Sequence, residues 1–216
     1  MIQIRHKSTG AVLLELDSDT LAGAKLSGAK LQGASLQGQD LRGAIINNAD
    51  LRDADLRGAN MSNVTFNAAA LDSANAAHSN LTDADLTDCT LVGTDFSAAN
   101  MQRANLRYAR LTGANLSGAN LSRSDLSMTD LRANLSTAVL QGADLRAADL
   151  SGANLVGANL EEANLTGANL NCAVVTRARM RGAIDKSGRA AALLAASAGC
   201  AKTSAKVSRP WWQFWS

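Results

Sequence analysis

The side chains best suited to do chemistry in this chain are few and scattered. It has two histidines, His6 and His78, three cysteines, Cys89, Cys172 and Cys200, and 19 Asp and Glu. A structural metal site needs Cys or His ligands at short, paired spacings, and neither histidine has such a neighbour. A nucleophilic site needs a base beside the nucleophile, and no such pairing is visible. The glycines fall at five-residue intervals rather than in a phosphate-cradling loop. The sequence therefore points away from enzymes, and no cofactor or metal is expected. An odd cysteine count gives no disulfide framework. Cys89 stands where a small inward residue is required, and Cys172 and Cys200 are expected to be free thiols.

Binding chemistry is concentrated at the C-terminus. The last six residues, Trp211-Trp-Gln-Phe-Trp-Ser216, hold four of the seven aromatics and all three tryptophans. Trp211, Trp212, Phe214 and Trp215 follow a basic stretch containing Lys202, Lys206 and Arg209. Exposed aromatic clusters of this kind mark binding surfaces. Two readings stand side by side: a handle for a partner protein, or a flap packed on the protein's own flank. A third is contact with an anionic membrane surface through rings and lysines.

The elements that position these groups come from a repeat of five. Large apolar centres recur every five residues from Leu16 to Leu131 and, after a one-residue deletion, from Leu135 to Met180. Of 34 such centres 26 are Leu, and the residue two before the centre is Ala in 25. Along an extended chain, residues two apart share a face, so Ala and Leu point inward together. Two residues then turn a corner, and the second corner position holds 14 of the 17 glycines. Positive φ at that position suits a type II turn. An α-helix is excluded, because five residues advance it by 500° and would scatter the leucines around its surface.

The pattern, as in Ala49-Asp-Leu-Arg-Asp and Ala153-Asn-Leu-Val-Gly, resembles that of the pentapeptide-repeat proteins. The resemblance covers about residues 16–184. It implies an all-β solenoid, a right-handed quadrilateral β-helix with four units per coil. Thirty-four units would then make 8.5 coils, a tube of roughly 40 Å at ~4.8 Å per coil. Some members of that family mimic duplex DNA, act on DNA gyrase, and dimerise through C-terminal helices. This sequence departs from them in its weak charge and interspersed arginines.

Four segments follow. Residues 1–15 read as a capping β-hairpin, with Ile2 and Ile4 alternating on one strand and Val12, Leu14 and Leu16 on the other. The β-helix spans 16–184. A short helix is expected at 185–199, its Leu193 and Leu194 docking on the last coil or on a second copy. The basic, Trp-rich tail is 200–216. The net charge of +2 divides unequally, with −4 over residues 16–180 and +5 over 181–216. A net-acidic tube lacks the basic stripe of a nucleic-acid binder, so direct nucleic-acid binding is not expected. Acids between Asp40 and Asp95 map to all four sides, which favours a mixed, solvated surface over an acidic stripe. Ala76 should leave its site underfilled, with Phe66 compensating from a neighbouring layer. The deletion at Leu131–Leu135 should pinch a corner and shift later units relative to earlier coils. No apolar leader or spanning segment is visible, so a cytoplasmic location is expected. The functional expectation is a non-enzymatic protein-interaction scaffold. A DNA mimic acting on a type II topoisomerase is the alternative, and peripheral membrane attachment the third.

Overall fold

The computed structural model of the protein describes residues 1–184. The helix, Leu193, Leu194 and the whole tail, with Lys202, Lys206, Arg209, Trp211, Trp212, Phe214 and Trp215, lie outside these residues.

From Lys25 onward each unit forms one parallel backbone bridge with the unit twenty residues later, as in Lys25↔Ile45, Ile45↔Thr65 and Thr65↔Asp85. Twenty residues per coil is four pentapeptides, so the tube has four walls. Its centres form four inward columns, and the leucines and their partner alanines are buried along nearly the whole length. Three backbone ladders join the coils. In one, the centre donates upward, as Leu51 N–H does to Ala70 C=O at 2.7 Å; in the second, Asp50 N–H donates to Ala29 C=O at 2.9 Å; in the third, the corner residue donates upward, as Asp53 N–H does to Asp72 C=O at 3.0 Å. Every coil thus satisfies the polar backbone groups of the next, which lets so thin a structure bury its main chain.

Each corner is closed by a hydrogen bond spanning three residues, such as Ala54 N–H to Leu51 C=O at 3.0 Å. The second corner residue has positive φ whether or not it is glycine: 18 non-glycine residues, from Asn48 to Arg177, adopt φ between 53° and 61°. Glycine is therefore favoured but not required. Stacking imposes the conformation, and side chains as large as Tyr108 and Met128 accept it at a local steric cost.

Some inward alanine positions carry hydroxyls. Ser79, Thr94, Ser124 and Thr129 are buried there, and each donates to a backbone carbonyl, Thr94 to Leu71 C=O at 2.8 Å and Ser124 to Leu121 C=O at 2.8 Å. Cys89 occupies another such position, its thiol donating to Phe66 C=O at 3.1 Å. Burial pushes that thiol up to about 12, so it is a core side chain rather than a nucleophile.

Strand β1, Ile2–Arg5, pairs antiparallel with β2, Val12–Leu16. The hairpin takes the place of a missing coil: Arg5 C=O accepts from Ser35 N–H and Lys7 N–H donates to Gly33 C=O, both at 2.8 Å. Ile4 is buried. The simple alternation expected on β2 fails at Val12, which is exposed, while Leu13 packs against the core. A bulge between the pairs Ile4↔Leu14 and Arg5↔Val12 inserts one residue and reverses the facing. His6 is a packing residue: Nδ1 accepts from Ser8 N–H at 3.2 Å. Its ring lies so close to Gly33 that a Cβ there would fall 2.4 Å from Nε2. Here glycine is needed both for its φ of 66° and for the close approach.

Three further expectations are corrected. Ala76 is fully buried, and two buried phenylalanines stand near it in the coil order. Phe66 stands on the opposite wall of the same coil rather than in a neighbouring layer, and Phe96 follows Ala76 in the same column. The deletion does pinch a corner, but later units are not displaced. Ala133 N–H bonds to Leu131 C=O at 2.8 Å, a three-residue γ-type closure in place of the four-residue turn. Bridges spaced by 19 residues, such as Asn115↔Asn134, carry the register past it, and the spacing is 20 again at Asn134↔Asn154. Finally, Cys172 is not a free thiol: it is disulfide-bonded. Its exposed corner position leaves the sulfur open to a second one. Cys200 falls outside the described residues.

Candidate interaction surface

Outward residues on one wall stack in columns just as the core does. Where Asp precedes a centre and Arg follows it, the two side chains meet over the wall. Arg42 holds Asp40, Arg52 holds Asp50, Arg57 holds Asp55, Arg132 holds Asp130 and Arg146 holds Asp144, each with a closest contact of 2.6–2.7 Å. The guanidinium hydrogen bonds lower each of these carboxyls, with Asp130, which also accepts from Thr112, brought to about 2. Asp83 is held by Arg103 one coil later, at 2.7 and 2.6 Å. The acids do lie on all four sides, and six of them are neutralised by an adjacent arginine.

The second wall, with centres Leu26, Ile46, Phe66, Leu86, Leu106, Leu126, Leu145 and Leu165, carries the exception. Its exit corner bears Asp88, then Tyr108, then Met128 on successive coils. Tyr108 is 44% and Met128 49% exposed, the one pair of large exposed apolar residues that are vertical neighbours among those described. The Arg107 guanidinium lies 4.8 Å from the Tyr108 ring centroid and donates to its hydroxyl at 2.9 Å. That cation–π contact stiffens an otherwise free ring. The corner ladder is stretched here: Tyr108 N–H reaches Ser127 C=O at 3.4 Å, against 3.0 Å for Asp88 and 2.9 Å for Met128 to their partners.

Beside this pair runs a groove of about 320 Å³ lined by Arg107, Asp125, Ser127, Met128, Arg146 and Thr166. Asp125 accepts from the Ser127 hydroxyl at 2.6 Å and makes no ion pair within the described residues. The other edge of the same wall has a groove of about 370 Å³ whose lining includes Arg103, Ser122, Arg123 and Gln141. Aromatic, Met and Arg side chains in one exposed cluster are the composition enriched at protein interfaces. Nothing in the cluster pairs a nucleophile with a base. Among the described residues no group of three or more His, Cys, Asp or Glu could hold a metal ion, and no helix is long and apolar enough to cross a membrane.

The sequence reading missed Tyr108 and Met128. Their spacing of twenty was the available signal, since with four units per coil it stacks them at one corner.

Five-residue walls, four to a coil, stacked corners and a closed apolar interior define a repeat β-helix. The pentapeptide-repeat family profile matches residues 21–58, 132–167 and 143–182, with eight copies, and the pentapeptide repeat region profile matches 59–133. The chain belongs to the pentapeptide-repeat family. Among solved structures it is similar to HetL, a pentapeptide repeat protein involved in heterocyst differentiation regulation from the cyanobacterium Nostoc sp. strain PCC 7120. The identity is 32% and the TM-score 0.53, covering 78% of this chain and 88% of HetL. A second pentapeptide repeat protein from Nostoc is 38% identical over 43% of this chain and 81% of its own, with a TM-score of 0.33. QnrB1, a plasmid-mediated fluoroquinolone resistance protein, is 20% identical, covering 70% of this chain and 91% of its own, with a TM-score of 0.39. No curated protein sequence gives a significant match.

Proposed function

We propose that this protein is a non-enzymatic interaction scaffold that presents its second wall, around Tyr108 and Met128, to a protein partner. The observation that carries this reading is the exposed Tyr–Met pair stacked on successive coils and flanked by Arg107 and Arg146. A stacked tube supplies rigidity, so side chains on it lose little freedom on binding. HetL takes part in regulating differentiation, and regulation by binding is the role we carry to this chain. The Trp-rich tail, residues 211–215, is proposed as a second handle.

Duplex-DNA mimicry toward gyrase would need free carboxylates, and the pairing of six of them with arginine weighs against it. A supercoiling assay at high protein excess is expected to show no effect.

The test is photo-crosslinking. A benzophenone side chain at position 108 is expected to yield a discrete adduct in cells, and the same group at position 48, on the same corner, is expected to yield none. Equal labelling at both positions would sink the assignment of this wall. Repeating the experiment on residues 1–184 separates the wall from the tail.

A further inference from the structure

We infer that the occupant of the second wall is a second copy of this chain, docked antiparallel across a two-fold axis that passes between Tyr108 and Met128. This rests on the wall being an interaction surface and names its partner.

A two-fold axis perpendicular to the tube reverses the order of the coils. The coil bearing Arg107 and Tyr108 then faces the coil bearing Asp125 and Met128 of the second copy, and the contact occurs twice. Tyr108 meets the thioether of Met128, a favourable sulfur–aromatic contact. Arg107 falls opposite Ser127, whose hydroxyl is held by Asp125 at 2.6 Å, so its guanidinium can reach along the wall to a carboxylate that makes no ion pair of its own among the described residues. One coil further out, Asp85 falls opposite Asp144 and Asp88 opposite Ala147, and Arg146, which already pairs with Asp144, falls between the two acids. One coil beyond that, Thr65, Asn67 and Ala68 face Asn164, Thr166 and Gly167, which are small and bring no like charges together. The wall is thus complementary to its own reverse: apolar at the axis, opposite in charge beside it and small at the ends.

A two-fold axis along the tube would instead bring each coil against its own copy, with Tyr108 beside Tyr108 and Arg107 close to Arg107, a like-charge contact. The antiparallel order removes that repulsion and converts it into attraction. A single wall is narrow, so the dimer belongs to the small, transient size class, forming at roughly tens of micromolar rather than nanomolar.

The experiment is sedimentation of the full-length chain from low to several hundred micromolar. The expected result is a monomer–dimer equilibrium that Tyr108→Ser with Met128→Ser abolishes. Arg107→Asp alone and Asp125→Arg alone should each weaken dimerisation about tenfold or more, and the two together should restore it, because the swapped charges again face each other. A second reading needs no surface variant: benzophenone at position 108 should attach to residues 126–130 of another copy. A chain that stays monomeric overturns the inference. So does a dimer indifferent to the Tyr108 and Met128 changes, a double charge swap that fails to rescue, or a self-crosslink mapping elsewhere. In each of those cases an adduct from position 108 to a different protein would leave the scaffold reading standing.

Discussion

Two stretches of the same tube use one backbone for opposite electrostatic ends. Between Asp40 and Arg57 the surface is largely self-neutralising, because three of its four aspartates, all but Asp53, are each gripped by the arginine two residues on. Between residues 61 and 123 the charges are separated along the axis. Residues 61–100 hold Asp72, Asp83, Asp85, Asp88 and Asp95 with no Lys or Arg, and residues 101–123 hold Arg103, Arg107, Arg110 and Arg123 with no acid. Only Asp83 and Arg103 bridge the divide. The exposed Tyr108 sits in the basic band and Met128 just beyond it. Both stretches bury an unbroken apolar interior, Leu and Ile at the centres of the first and a mixture that includes Phe66 and Phe96 in the second. What differs is whether a charge is answered by its own unit or left for another surface.

The largest effects should show no difference between them. Leu51→Ala and Leu106→Ala each remove a fully buried centre and are expected to cost about 3 kcal/mol, read as equal losses in urea unfolding. A markedly smaller loss at Leu106 would mean that the stretched ladder beside Tyr108 has loosened the core beneath it. A smaller effect probes the phenylalanine-rich coils. Ala76→Leu should destabilise by roughly 1–3 kcal/mol through overpacking, because Phe96 follows it in the same column and Phe66 faces it across the tube, both fully or nearly fully buried. Adding Phe96→Leu should recover part of that loss. If Ala76→Leu stabilises instead, the site is underfilled after all.

The paired carboxyls give the comparison a pH axis. Asp130 titrates near 2 in the folded protein, below the ordinary value of about 3.9. Its folded-state value is depressed, so its contribution is full above the unfolded value and disappears as pH falls through the folded one. Unfolding midpoints of wild type and Asp130→Asn should differ at neutral pH by less than about 1 kcal/mol and converge toward pH 2. A gap that persists in acid would show that packing, not the ion pair, is responsible. The smallest change expected is Arg57→Ala, a lowering of the unfolding midpoint that shrinks further as salt is added. An effect as large as that of Leu51→Ala would mean that the self-neutralising stretch is held together by its charges.

Much of the architecture was legible because five-residue periodicity, inward Ala and Leu, and corner Gly all encode one local geometry. The hairpin strands were visible too, but the bulge that turns Val12 outward leaves no mark in an alternating pattern one residue out of step. The γ-type corner at Ala133 was equally silent, since the sequence records a missing residue but not how the chain absorbs it. The surface pair was harder for another reason. Tyr108 and Met128 look isolated in a linear reading, and become neighbours only when residues are compared at the length of one coil. The tail, which carried the sequence-based binding proposal, lies outside the described residues.

The coil length of twenty has a consequence for how such a surface can change. Loss of a whole coil between two outward residues would shorten the tube by one storey and leave each column on its own wall. Loss of one pentapeptide would turn everything downstream by a quarter revolution, carrying Met128 from the corner it shares with Tyr108 to the one before. The single-residue deletion does neither, because one tighter corner absorbs it. Sequence length therefore acts on this molecule as a dial, in which steps of five re-aim a binding face and steps of one are lost in the bearing.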